Sequence, residues 1–218
     1  APIMMGTTHI EPSIMGFHKR YPSVTLNIME AINFVAENSL EDNSIDLTIY
    51  NVHKFPENMD YQILREEEIV LVLNKNHPLC EKAQPKEGFR HPWLDLKMLE
   101  KENFILLYPD QNTGGIAQSL FKEYSMEPTV LLHTRNSAMS IRLAIQGLGA
   151  AFAPESYFRE ESRFFPEGCC FSIGQKPVLT TTIVAYQKKK YLSQHARDYV
   201  EILKEYATSL SVSKGNDI

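Results

Sequence analysis

At four places in this 218-residue chain, residues suited to touching a ligand stand where a strand-like run gives way to a helix-like run. Thr7, Thr8 and His9 follow Ile3–Gly6. Ala31 and Ile32 follow Val24–Ile28. Asn112, Thr113, Gly114 and Gly115 precede the helical pattern at Gly115–Tyr124. Arg135, Asn136 and Ser137 precede the one at Ser137–Gln146. In open α/β sheets, ligands sit beyond the C-terminal ends of strands. A helix beginning there turns unpaired N–H groups and the positive end of its dipole toward an anion. Threonine hydroxyls in that position bind a carboxylate or cap the helix. A small residue such as Ala31 lets the backbone approach a ligand or simply packs. Glycines at 114 and 115 permit close approach or tight turning. Asn136 or Ser137 is the expected cap of the following helix. Arg135 offers a bidentate grip on a carboxylate or phosphate, or stands as a surface cation. All of this is binding chemistry. The sequence contains no HExxH, G-x-S-x-G or G-x-x-x-x-G-K-[ST]. His91 and His133 lack metal-type partners nearby, and pairs such as Glu66 and Glu67 are too generic for acid–base work. The expectation is no catalytic residue, no metal and no cofactor.

The elements that must position these residues alternate. Ile3–Gly6 reads as a buried strand, Ile10–Arg20 as a helix with Pro12 in its first turn, and Val24–Ile28 as a strand by its period of two. Phe34–Glu41 reads as a helix and Ile45–Tyr50 as a strand. This strand–helix alternation predicts a parallel sheet with crossover helices. Tyr61–Leu64 and the apolar run Ile69–Leu73 read as two strands, with Glu66-Glu67-Glu68 between them as a solvated turn. Cys80–Leu94 reads as a loop. A second alternating series follows: strand Phe104–Leu107, helix Gly115–Tyr124, strand Thr129–His133, helix Ser137–Gln146 with Gly147 as its left-handed cap, and strand Ala150–Ala153. Thr180–Tyr186 reads as a strand. Ser193–Leu210 reads as a helix with Leu192, Ala196, Val200, Leu203, Ala207 and Leu210 in one stripe.

Composition narrows the partners. Hydrophobic residues make up 43% of the chain and charged residues 22%, enough for a sizeable core and a mixed surface. The net charge of -5 and the single basic run Lys188-Lys189-Lys190, read as a solvated face, do not form a stripe that grips nucleic acid. Three cysteines, Cys80, Cys169 and Cys170, without CxxC spacing fit neither a disulfide framework nor a zinc site and point to a reducing compartment. A redox role for Cys80 and Cys169 is left open by the sequence, beside the commoner reading of idle thiols. No signal-like start and no apolar stretch of about 18 residues is present, so a cytoplasmic location is expected.

Four segments carry a family likeness. Phe17-His18-Lys19-Arg20-Tyr21-Pro22-Ser23-Val24-Thr25-Leu26, Leu40 with Ser44–Ile49, Val70–Val72 with His77-Pro78-Leu79, and Ile145-Gln146-Gly147-Leu148-Gly149 running on to Pro154 occur in order and spacing. Together the chain resembles the effector-binding domain of LysR-type transcription regulators. The resemblance implies an α/β fold of two Rossmann-like lobes joined by two crossing strands, like type 2 periplasmic binding proteins. The order of the elements by itself already divides into two such lobes, lobe I comprising 1–74 plus 177–218 and lobe II 75–176, with a small effector, anionic by the site chemistry, between them. The resemblance also implies that Asn112 and Thr113 reach the ligand, and that Tyr50 and Asn51, after the third strand, do so too. The winged helix-turn-helix of such regulators is not among these residues, so DNA is expected as a partner only through that other part. A homodimer or homotetramer is implied, its interface on the helices near Pro12–Arg20 and Ile116–Tyr124, with Met15, Phe17 and Phe121 as candidates. Thr7–Glu11 is shorter than the corresponding segment of such domains. The alternative is a periplasmic solute-binding protein; an enzyme on the same scaffold is a more distant one.

Overall fold

The computed structural model describes residues 1–31, 33–188 and 191–212. Two strands, β2 (Met59–Asn74) and β7 (Leu179–Gln187), have residues in both of the compact units into which the chain divides. The first unit comprises Ala1–Glu66 with the segment from Thr181 onward; the second is Glu67–Thr180. The divisions therefore fall at 66/67 and 180/181, not at 74/75 and 176/177. The reason is that the second half of β2 spends its hydrogen bonds inside the second unit.

The first unit departs from the expected strand–helix–strand start. Ile3–Met5 is a helical turn (α1), Gly6–Ile10 is π-helical, and Glu11–Arg20 is α2, so one helical run replaces the strand at Ile3–Gly6. The unbranched Met4 and Met5 lose little rotamer freedom in a helix, and the Thr8 hydroxyl donates back to Met4 O at 2.7 Å. Phe17 is buried on α2. It meets Tyr199 of α7 (Gln194–Val212) edge-on at 5.0 Å, beside a 2.9 Å contact between the Ser13 and Tyr199 hydroxyls. The Tyr21 hydroxyl donates to Asp198, which also pairs with Arg20 at 3.0 Å. Val24–Ile28 belongs to no strand. Its period of two is real, but a ladder needs a neighbour. Just after this stretch Ala1 lends its backbone, through Ala1 N to Met29 O at 2.8 Å and Ala31 N to Ala1 O at 2.9 Å. After α3 (Asn33–Glu41), β1 (Thr48–Val52) pairs antiparallel with β7, in register from Thr48↔Ala185 to Val52↔Thr181. Leu40, Tyr50, Val52, Met59, Ile183 and Ala185 form the core there.

The acidic run Glu66-Glu67-Glu68 is not a solvated turn. It lies inside the unbroken β2, and Glu67 and Glu68 are 0% exposed. The Glu67 carboxylate accepts from Ser156 N at 2.8 Å and from Ser156 Oγ at 3.0 Å. It thus closes the first turn of α6 (Glu155–Ser162), which has no capping side chain of its own.

In the second unit Ile69–Asn74 of β2 pairs antiparallel with β5 (Ala151–Pro154) and β6 (Gly168–Phe171). β3 (Asn103–Leu107) lies parallel to β4 (Thr129–Thr134), with a bulge at Phe104/Ile105, and bridges to Ala150. This parallel pairing is the one expected of the second alternating series. α4 (Asn112–Glu123) and α5 (Ser137–Ile145) follow these strands. Gly147 takes φ +87, as its capping position requires. Phe104, Phe121 and Phe152 stack with centroids 5.0 to 5.9 Å apart at the centre of the core. The stretch expected to be a loop begins with a 3-10 turn at Pro78–Lys82. Among the described residues, no helix is long and apolar enough to cross a membrane.

Candidate functional site

In the first unit the chemistry gathers inside the π-helical run, a backbone irregularity frequent at functional sites. Thr8 and His9 are buried, and Thr8 Oγ1 lies 2.8 Å from His9 Nδ1. His9 is 1% exposed, and its Nε2 has no hydrogen-bond partner among the described residues. Burial, and secondarily the guanidinium of Arg65, push its pKa down to about 4, so the ring is neutral at pH 7. Arg65 is a buried cation on β2. Sequence reading missed it, because it stands in a charged run that looked solvated. Thr7 is exposed and Ala31 half-buried. Ile32 lies outside the described residues, as do Lys189 and Lys190.

Tyr50 and Asn51 belong to other contacts. The Tyr50 ring is part of the core, its hydroxyl reaches Met59 Sδ at 3.9 Å, and burial raises its pKa. Asn51 Oδ1 accepts from Thr182 Oγ1 at 2.7 Å across the β1–β7 pair. A cavity of about 460 Å³ opens in the same unit between the extended stretch Val24–Met29 and the Ser44–Ile49 segment, with Phe17 and Tyr199 at its wall. None of the expected ligand residues lines it. It is the gap beside a stretch that has no ladder, not the cluster around His9.

In the second unit α4 begins without a capping side chain. No side chain at the cap position therefore accepts from the N–H groups of its first turn, where the positive end of the helix dipole lies. Thr113 is buried there, and Asn112 Nδ2 donates to Thr180 Oγ1 at 2.8 Å. Gly114 is obligatory: a Cβ would stand 2.1 Å from Tyr108 O, so the helix start is pressed against the end of β3. Gln111 Nε2 donates to Arg135 O at 3.1 Å, which ties the start of α4 to the turn preceding α5. Asn136 caps α5, accepting from Met139 N at 3.0 Å, so that amide is committed to structure. Arg135 is exposed, pairs with Asp110 at 2.8 Å and lies 4.7 Å over the Tyr108 ring. Ser137 is half-buried at the head of α5. Thus Asn112, Thr113, Arg135, Asn136 and Ser137 share one end of this unit. Thr180 is a contact that sequence reading missed, since nothing in a strand pattern marks it. Of the proposed interface residues, Met15 is 63% exposed, whereas Phe17 and Phe121 are core. Among the described residues, no group of three His, Cys, Asp or Glu side chains could hold a metal ion.

Comparison with known proteins gives this geometry a setting. Residues 1–208 match the family described as the LysR substrate binding domain. The chain is 24% identical over 213 residues to the uncharacterized HTH-type transcriptional regulator YcgK of Bacillus subtilis, covering 94% of this chain and 64% of that protein. It therefore spans less than two thirds of that relative's length. Among solved structures, the fold is similar to the CcmR regulatory domain of Synechocystis PCC6803 in complex with 2-PG (TM-score 0.78, 19% identity, 92% of each chain). It is also similar to the effector binding domain of QuiR in complex with shikimate (TM-score 0.75, 17% identity, 95% of this chain and 94% of that one).

Proposed function

We propose that this chain, which belongs to the LysR substrate binding domain family, is the effector-sensing part of a transcription regulator and takes a small anionic metabolite. The family match over 1–208 is the observation that carries this reading. Two structural neighbours are described with small anions bound, 2-PG and shikimate, which fits the class. On this chain, the first turn of α4 with Thr113 is one anion-binding feature. The buried Arg65 near the neutral His9, whose ring meets the Thr8 hydroxyl, is another. Both arrangements offer hydrogen-bond donors and positive charge, which is the chemistry of binding an anion. The curated relatives are transcription regulators, which removes the reason to prefer a transporter's solute carrier.

A bound anion biases the regulator only through its different affinity for two arrangements of the protein. DNA contact, a homodimeric or homotetrameric assembly and a cytoplasmic location are proposed for the whole regulator on the same family ground. Thr113→Val and Thr8→Val test the site in a thermal-shift screen against carboxylates and phosphate esters. A ligand at about 100 times its Kd adds about 2.7 kcal/mol to the wild type. That gain is expected to vanish in the variant whose feature holds the anion. A screen without a hit, or a hit that survives both substitutions, overturns the assignment.

A further inference from the structure

Two of the three cysteines face each other. Cys80, in the 3-10 turn after β2, and Cys169, on β6, bring their sulfurs to 3.3 Å although 89 positions apart in sequence. Both sulfurs are held by consecutive carbonyls at the end of β2: Cys80 Sγ reaches Asn74 O and Cys169 Sγ reaches Leu73 O, each at 3.4 Å. Both residues are partly exposed, within reach of a small oxidant. Cys170, next along β6, points to the other face of the strand, where its sulfur lies 3.7 Å from His91 Nδ1.

We propose that Cys80 and Cys169 form a reversible two-electron redox site whose oxidant is a small hydroperoxide. The Cys80 thiol releases its proton to water and its sulfur attacks the distal peroxide oxygen. The O–O bond breaks, an alcohol (or water, from hydrogen peroxide) leaves, and Cys80 becomes a sulfenic acid. The Cys169 sulfur then attacks Cys80 sulfur. The S–S bond forms, the S–O bond breaks, and hydroxide departs with the Cys169 proton as water. The two thiols together lose the two electrons that the peroxide gains. The order follows from the surroundings. Burial, and then the hydrogen bond and charge of Cys80, push the Cys169 thiol well above the usual thiol range, so it reacts second. Cys170 is pushed up to about 12 by burial, Glu155 and Glu68, and is left out.

The bridge has a structural reach. Gly168, adjacent to Cys169, packs against Ile145, whose side chain would meet a Cβ there at 2.8 Å. Asn74, whose carbonyl holds Cys80, donates its side-chain amide to Ile145 O. A disulfide therefore clamps the surroundings of the C-terminal end of α5.

The test treats the whole chain with hydrogen peroxide, alkylates the remaining thiols and maps the products by mass spectrometry. The expected product is an intramolecular Cys80–Cys169 peptide with Cys170 alkylated. It should be reversed by dithiothreitol and accompanied by a rise of about 5–10 °C in Tm. Cys80→Ser and Cys169→Ser abolish the rise, and Cys170→Ser keeps it. A bridge that involves Cys170 or a second chain overturns the proposal, as does oxidation that stops at isolated Cys80 or leaves all three thiols free. Because the mapping is done on the unaltered chain, it does not depend on the variants folding.

Discussion

In the second unit the extended stretches find ladder partners: Ile69–Asn74 is flanked by β5 and β6, and β3 by β4 and the bridge at Ala150. In the first unit Val24–Ile28 carries the same alternating pattern and joins no strand. A cavity opens beside it, and α2 begins in a π-helical run without a capping side chain. The difference teaches that a period of two specifies which residues would face a core, not whether a neighbour is there to bond. It also places the Phe104–Phe121–Phe152 core in the second unit and the buried His9, its pKa pushed down by burial, in the first.

Three measurements would sharpen or break that contrast. The largest effect is expected from Phe104→Ala, which empties the centre of the Phe104–Phe121–Phe152 stack and should cost about 3–5 kcal/mol in urea denaturation. A loss below about 1 kcal/mol would mean that this core is not the anchor of its unit. Next comes acid. His9 has its pKa lowered from 6.5 to about 4, so the unfolded chain takes the proton first. Its contribution is intact above the unfolded value and is lost as pH falls from 6.5 to about 4, by about 3 kcal/mol. His9→Asn should flatten the pH profile over that window; an unchanged profile would assign the acid sensitivity elsewhere. The smallest effect is expected from Asn136→Ala, which removes the cap of α5 and should cost about 1 kcal/mol by thermal melting. A neutral result would show that this helix start needs no cap in its setting.

Much of the second unit was legible in the sequence. The strands at 104–107 and 129–133, the helix from Ser137 and the left-handed glycine at 147 follow from local period and punctuation, and all four appear. The two-lobed α/β organisation was legible in the order of the elements, and the fold family through the resemblance, which the family match bears out. What escaped depends on distant partners. Glu67 looked solvated because its reason for burial, the amide of Ser156, lies 89 positions away. α6 is short and mostly polar, so it does not announce itself as a helix that packs on a core, and its N-terminus is closed from another strand. Ile3–Gly6 read as a strand because a short apolar run does not distinguish strand from buried helix. In the candidate site, the hydroxyl and glycine positions at 112–115 were legible. Arg65 and Thr180 were not: Arg65 stands in a charged run that looked solvated, and nothing in the strand pattern marks Thr180.

The division of the chain also has a bearing on its synthesis. The second unit is one continuous stretch ending at Thr180, whereas the first needs β7 and α7, which come after it. On the ribosome, at about 5–20 residues per second, the later-starting unit is therefore complete first, and the earlier one waits some seconds for its last strand and helix. During that wait Phe17 and Ser13 lack Tyr199, and β1 lacks its antiparallel neighbour. The nascent first unit is then the part that a chaperone would hold, and a slow-codon stretch after Thr180 would lengthen that exposure.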